Sequence, residues 1–362
     1  MDKKQKKLLF ISLGISLGVL FIVLILTINE DTITALQSCI PAFLLLAVGM
    51  HVVSLVFWAA RIKMMCRSLG YKVPFRHCFN LVCSNMFIAA VTPSSIGGEP
   101  VRVYEISKAG VPGGEATAVV TMERVFDGIV LAIGTIICVF LLGVFFSEIE
   151  LPAGCMVAAY CAAGVFAGLV ILFFIIAKHP QWGIALMRKL SSLITRKKDE
   201  AAKEKLQNKF TGYADNFYSA LREMTGKSKS GMVWGFLFSA LFWVNEFVIA
   251  FVVCLGLGIE PTAELFLLSI IFQLLVTVIL MIPLTPGGVG VSEASLGLFF
   301  AIIIPTSLVG IFVLIYRFIF YYFNLIVGFI ASMLIVRREA KGKKAVPETV
   351  PDKGPEDCRE LL

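Results

Sequence analysis

Two short stretches hold the residue types best placed to bind an anion. They read Thr92-Pro93-Ser94-Ser95-Ile96-Gly97-Gly98 and Thr285-Pro286-Gly287-Gly288-Val289-Gly290. Each interrupts an apolar run and opens a new helical segment. The first N–H groups of a helix lack intrahelical partners and carry partial positive charge. Gly97, Gly98, Gly287, Gly288 and Gly290 let a ligand approach the backbone, while Thr92, Ser94, Ser95 and Thr285 add hydroxyls. A phosphate group suits such a place. The competing reading is architectural, with glycines for close helix contact and prolines that merely end helices.

Charged residues inside apolar runs form the second candidate set. Arg124 and Arg317 each lie 31 residues after the proline of their break. An arginine at mid-bilayer costs roughly 2.5–3.5 kcal/mol, so it needs a partner or a wet cavity. Glu123, Arg124 and Asp127 are spaced to form an ion network on one helix, and Glu99 and Arg102 form an i, i+3 pair. Asn245, Glu246 and Glu293 supply polarity in the second half. These groups either neutralise one another and lock packing, or clamp a headgroup whose phosphate arginine binds in bidentate fashion. Acidic residues beside the clamp suit a cationic headgroup moiety or a coupling proton. His51, His77 and His179 share no metal-ligand spacing and read as structural. There is no Ser-His-Asp set, Walker loop or paired-aspartate phosphotransferase motif, so no catalytic residue, metal or cofactor is expected.

The elements that must position these groups are membrane helices. Of 362 residues, 58% are apolar and only 16% charged, with a mean hydropathy of +0.88. Soluble domains are about 45–50% apolar and about 25% charged. A soluble domain, a disordered chain, a nucleic-acid module and a disulfide-stapled domain are thereby excluded. Nine scattered cysteines without a CxxC pair read as small buried hydrophobes. The opening KKQKK resembles the start of a signal peptide. The apolar run 8–28 that follows lacks a small-residue cleavage site and reads as a retained span.

Six spans are expected, at about 8–28, 40–60, 115–146, 153–177, 231–257 and 307–336. Segments 77–107 and 264–303 contain the two breaks and read as re-entrant hairpins. Of the 32 Lys and Arg, 29 fall before Leu8, in 61–76, at Lys108, in 178–229 or after Val336. Three turns carry acidic but no basic residues: Glu30–Asp31, Glu148 with Glu150, and Glu260 with Glu264. Basic segments belong in the cytoplasm. Both termini, the Arg61 end of the second span and the Lys-rich insert 178–229 then lie inside. The insert reads as amphipathic helices near the headgroups or as a plain solvated linker, and 337–362 as a disordered tail.

The chain also repeats itself. The breaks share Thr-Pro-x-x-(Ile/Val)-Gly, a glutamate follows each (Glu99, Glu293), and an aromatic pair precedes each (Phe57-Trp58, Phe242-Trp243). The charge bias puts the first hairpin inside and the second outside. The expected architecture is therefore an all-α polytopic domain over 1–336 with an inverted-topology repeat. Its halves run about 40–146 and 231–336. Secondary transporters share this plan and bind substrate near the midplane at interrupted helices. Backbone unwound at that depth must be buried or line a cavity, so a polar cavity is expected between the halves.

The sequences T-P-S-S-I-G-G-E-P-V-R at 92–102, E-R-V-F-D-G at 123–128 and L-T-P-G-G-V-G-V-S-E at 284–293 resemble the lysylphosphatidylglycerol synthase transmembrane (flippase-like) family. This family was formerly grouped as UPF0104 and includes the membrane half of multiple peptide resistance factors. The resemblance covers most of 8–336 and implies a polytopic membrane protein, with phospholipid translocation by the best-understood members. Glu99, Arg102, Glu123, Arg124, Asp127 and Glu293 match its motif positions. The polar tail of about 25 residues is no aminoacyl-transferase domain, so lipid aminoacylation is not expected. The expected function is translocation of an anionic or zwitterionic membrane lipid, in the plasma membrane and without nucleic acid. The alternative is a non-transporting partner of an envelope or glycan-assembly enzyme. Gly164-x-x-x-Gly168 suits a contact within the chain or between copies, so an oligomer is possible.

Overall fold

In hydrocarbon a backbone must satisfy its own hydrogen bonds, which favours helices wherever apolar runs are long. A computed structural model of the chain describes residues 39–91, 98–146, 155–179, 200–226, 229–281, 285 and 288–344. Among them every regular element is helical. The helices are α1 (Pro41–Ser68), α2 (Phe75–Val91), α3 (Gly98–Lys108), α4 (Gly113–Phe145), α5 (Cys155–Lys178) and α6 (Glu200–Thr225). They continue as α7 (Lys229–Gly256), α8 (Ala263–Leu280), α9 (Val291–Phe300), α10 (Thr306–Arg317) and α11 (Phe323–Lys344). A π-helical turn, Phe318–Tyr322, joins the last two. Five of these stretches are long and apolar enough to cross a membrane: Pro41–Ser68, Gly113–Phe145, Ser230–Gly256, Ala263–Leu280 and Thr306–Ile335. The expected first span, 8–28, lies outside the described residues.

Three boundaries differ from the sequence expectation. Helix α1 runs past residue 60 to Ser68, which carries Arg61 into the helix interior. Helix α8 has 18 residues, about 27 Å of helix, so the first arm of the expected second hairpin is as long as a span. Helix α11 runs to Lys344, into the range expected to be disordered. The Lys-rich insert also contributes packing. On α6, Tyr218, Ala220, Leu221 and Met224 are buried in the cluster that holds α4. A Cβ on Gly114 of α4 would lie 2.3 Å from the Tyr213 carbonyl, so the two helices touch backbone to backbone.

The element order α1–α2–α3–α4 recurs as α7–α8–α9–α10/α11, and the joints recur with it. Helix α1 ends at Leu69-Gly70 and α7 at Leu257-Gly258, both glycines at positive φ (86° and 80°). In each, the next N–H bonds back to a cysteine carbonyl, Tyr71 to Cys66 and Ile259 to Cys254, as in a Schellman motif. Pro112 and Pro305 each lie 19 residues after the break proline. They enter α4 and α10 with the same backbone angles, φ/ψ −54°/142° and −53°/137°. Contacts between the halves are reciprocal. Helix α1 packs on α7, α2 on α11 and α8 on α4.

The α2–α11 crossing turns on Gly328, where an added Cβ would meet the Cys83 carbonyl at 2.4 Å. A Cβ at Gly164 or Gly168 would meet nothing within 4 Å. Gly328→Leu should therefore destabilise the detergent-solubilised protein by about 1–3 kcal/mol. Gly164→Ala and Gly168→Ala should stay within about 0.5 kcal/mol of wild type. Thermal unfolding followed by circular dichroism checks both.

Candidate functional site

Arg61 sits at the centre of the buried charge, although its place in the sequence reads as a solvent-facing helix end. Only 1% of it is exposed. Its Nη1 donates to Asp127 Oδ1 and to Ser239 Oγ, each at 2.6 Å, and its Nε to Glu123 Oε1 at 3.0 Å. Glu123 also accepts from Trp58 Nε1 at 2.9 Å and from Arg102 Nη1 at 3.0 Å. Asp127 Oδ1 accepts from Trp243 Nε1 at 3.0 Å. One cluster thus ties α1, α3, α4 and α7 together. Both arginines lie near the Trp58 ring, 5.8 and 5.4 Å from its centroid, which adds a cation–π contribution.

Glu123 therefore pairs with Arg61 and Arg102, and the partners expected for Arg124 are only partly its own. Arg124 approaches Glu99 Oε1 at 3.5 Å and Asp127 Oδ2 at 3.7 Å, with 40% of its side chain exposed. Glu99 also lies 3.9 Å from Arg102. Arg124 is the loosely held cation of this group. Arg61 was missed by sequence reasoning because basic residues flank it downstream. The available signal was its i, i+3 spacing from Trp58.

The second break builds a matching but tighter arrangement. Gly290 has φ +84°, which favours glycine, and begins α9. Its N–H donates to Glu293 Oε2 at 2.8 Å, so this glutamate caps its own helix. Glu293 also accepts from Ser292 Oγ at 3.1 Å and pairs with Arg317 Nε at 3.0 Å. Arg317 donates to Ser292 Oγ at 3.0 Å and stacks 4.2 Å above Tyr321. Thr285 Oγ1 donates to the Val289 carbonyl at 2.8 Å and closes its own turn, followed by Gly288 at φ +67°. Gly98 faces Asn85, whose Oδ1 would lie 2.4 Å from an added Cβ, so this glycine lets α3 approach α2. Thr92, Ser94, Ser95, Gly97 and Gly287 lie outside the described residues.

A cavity of about 310 Å³ lies between the halves. Trp58, Arg61, Arg124 and Asp127 line it from the first half, and Trp243, Glu246, Gln273, Ser292, Tyr316 and Arg317 from the second. Arg124, Asp127, Glu246 and Arg317 were expected as site residues and share this one space. Gln273 donates from Nε2 to the Tyr316 hydroxyl, while its buried Oε1 finds no partner among the described residues. Two further hollows meet the first at Arg124. One, about 330 Å³, runs along α4 past Val125, Gly128 and Leu131 to Val170 and Phe173 of α5. The other, about 680 Å³, opens beside Glu99, Tyr104, Thr117 and Tyr213.

Nearby, Glu246 and Asn324 hold His51 between them, each at 3.0 Å. Asn245 donates from Nδ2 to the Met50 carbonyl and Ser54 Oγ, both at 2.7 Å, which ties α7 to α1 and leaves it a packing role.

Removing one partner of a buried ion pair strands the other, which typically costs about 3–5 kcal/mol. Arg61→Ala should therefore destabilise the protein by that amount. Arg124→Ala, at a part-exposed position, should cost less than about 1 kcal/mol. Unfolding in detergent by denaturant or heat separates the two.

A family model described as the lysylphosphatidylglycerol synthase TM region matches residues 9–328. A UPF0104 membrane protein of Archaeoglobus fulgidus is 30% identical over 324 residues, 89% of this chain and 95% of that protein. Another, from Methanocaldococcus jannaschii, is 27% identical over 322 residues, 87% of this chain and 91% of that protein. A more distant likeness is to a Haloferax volcanii protein named glycosyltransferase AglD. It is 26% identical over 298 residues, which make up 77% of this chain but 46% of that protein. No solved structure matches the chain. The family match takes in both arginine clusters and every element around the cavity, and the chain belongs to the lysylphosphatidylglycerol synthase transmembrane family of multi-pass membrane proteins.

Proposed function

We propose that the protein binds the anionic headgroup of a membrane lipid in the cavity between its halves and carries it across the bilayer. The observation that carries this reading is the position of Arg124. It is part-exposed, its carboxylate partners stand at 3.5 and 3.7 Å, and it lies where the cavity meets the groove along α4 and α5. A phosphodiester at Arg124 would place the headgroup among polar side chains and an acyl chain against Leu131, Val170 and Phe173. Gln273 Oε1 offers an acceptor for a headgroup hydroxyl or ammonium. Arg317, already paired with Glu293, contributes positive potential on the opposite wall.

The two halves, in this reading, are inserted in opposite senses and α2–α3 and α8–α9 are re-entrant hairpins. The recurring joints and reciprocal packing support a repeat, and the charge bias of the flanking loops supports the opposed direction. The membrane is the plasma membrane, with both termini inside. One half rocking against the other would expose the cavity to each side in turn. The likeness to a protein named glycosyltransferase AglD favours a second reading, in which the domain presents a lipid-linked intermediate to a glycan-assembly enzyme without moving it.

The test is translocation of fluorescent phosphatidylglycerol in reconstituted vesicles, read by quenching from outside. Wild type should move lipid, and Arg124→Ala should slow it at least tenfold, about the 1.5–3 kcal/mol of one charge-assisted contact. Equal rates for the two would remove the mechanism. No movement by wild type, with co-purification of a glycosyltransferase, would select the second reading.

A further inference from the structure

His51 of α1 is 1% exposed and sits between two groups that ordinarily accept hydrogen bonds. Its Nε2 lies 3.0 Å from Asn324 Oδ1 and its Nδ1 3.0 Å from Glu246 Oε1. The Asn324 amide is oriented by its own helix, because its Nδ2 donates to the Phe320 carbonyl at 2.9 Å. Oδ1 is therefore the atom turned to the ring, and Nε2 must carry a hydrogen. A hydrogen is also needed on the other side. Either Nδ1–H donates to an ionised Glu246, or a protonated Glu246 donates to Nδ1. Both arrangements hold one proton more than a neutral imidazole beside a carboxylate. Without it, the Nδ1 lone pair would face a carboxylate in a buried site, which is unfavourable.

The surrounding charge has the same requirement. Among the described residues, the cavity wall, its ion partners and Arg102, which pairs with the same Glu99 and Glu123, comprise four arginines (Arg61, Arg102, Arg124, Arg317) and five carboxylates (Glu99, Glu123, Asp127, Glu246, Glu293). The set is neutral with the extra proton and carries −1 without it. The groups that face Glu246 across the cavity are Arg61 from α1, Arg124 and Asp127 from α4, Tyr316 and Arg317 from α10, and Tyr321 from the π-helical turn. Helices α2, α8 and α9, with Met281 just after α8, line it with Met86, Gln273, Thr277, Leu280 and Ser292, which bring no charge. The ring is walled off by Phe320 and Phe323, at centroid distances of 4.8 and 6.0 Å.

We propose that His51 and Glu246 form a proton site whose occupancy is coupled to an anion in the cavity. The inference rests on the reading of the cavity given above. An anion entering the proton-loaded cavity meets a neutral wall, whereas without the proton it meets net negative charge. Proton and anion therefore bind together, each strengthening the other as linkage requires. A proton taken up with the headgroup on one side and released on the other would tie lipid movement to a proton gradient.

The probe is a short-chain phosphatidylglycerol, whose phosphodiester stays ionised throughout the range used. It is titrated calorimetrically into the full chain in neutral detergent from about pH 5 to about pH 9. Repeating the titration in buffers of different ionisation enthalpy counts the protons taken up. Wild type should lose affinity by about tenfold per pH unit above the midpoint of the site and take up as much as one proton per lipid. Glu246→Gln is neutral and can donate its amide to Nδ1, so it should bind at every pH with a flat profile and no uptake. His51→Gln retains the carboxylate, and should bind weakly and without uptake above neutral pH; it also serves should Glu246→Gln fail to fold. A flat wild-type profile, or the wild-type slope in either folded variant, overturns the proton site and leaves the lipid-binding reading standing. No binding by wild type at any pH overturns both.

Discussion

A charge placed in hydrocarbon has to find its opposite, and this fold is arranged around that need. Arg61 is the clearest case. It lies on α1, which packs more extensively on α7 than any other two helices pack among the described residues, and it reaches Glu123 and Asp127 on α4 and Ser239 on α7. Arg102 brings α3 to the same glutamate. Apolar contact alone holds membrane helices together weakly, because lipid is as apolar as the side chains. A shared buried carboxylate has directional requirements that lipid cannot meet. The relative placement of four helices therefore follows from one pair of acidic residues one turn apart.

That network separates the arginines by role. Arg61 and Arg102 are held by carboxylates that have almost no exposure, and Arg317 by a glutamate that also caps its helix. Their charge is consumed in holding the structure. Arg124 has longer ion contacts and an open flank. The distinction between a tightly and a loosely held arginine rests here on distance and exposure, since all four occur beside or within apolar runs.

Two sets of helices of like order enclose the cavity. Each half supplies a long helix, a shorter helix, a half-helix and a closing helix, entered through prolines of like conformation. The α2–α11 and α8–α4 crossings exchange partners between halves. The halves are not chemically equal. The second carries Ser292 and a capping glutamate against Arg317, while the first leaves Arg124 between Glu99 and Asp127. Their difference leaves Arg317 tightly held and Arg124 loosely held around the same space.

Much of this was legible in the residues. Apolar run lengths specified helices, because a backbone in lipid has few other solutions. The Thr-Pro breaks and equal arginine spacings pointed to a recurring element order, which the helices and their joints follow. Residue order could not disclose which carboxylate holds which arginine. Glu123 and Arg124 are neighbours, but adjacent side chains on a helix point about 100° apart, so Glu123 turns to Arg61 and Arg102 and Arg124 turns to the cavity. The importance of Arg61 was hidden for a related reason. Loop-like basic flanks suggested a helix end, whereas α1 continues to Ser68 and buries that face against α4 and α7. The pairing of His51 with Glu246 and Asn324 joins residues 195 and 273 positions away. Run length and motif spacing are local properties that a chain carries by itself. The partner of a buried charge is set by helix rotation and crossing, and these arise only when the helices pack.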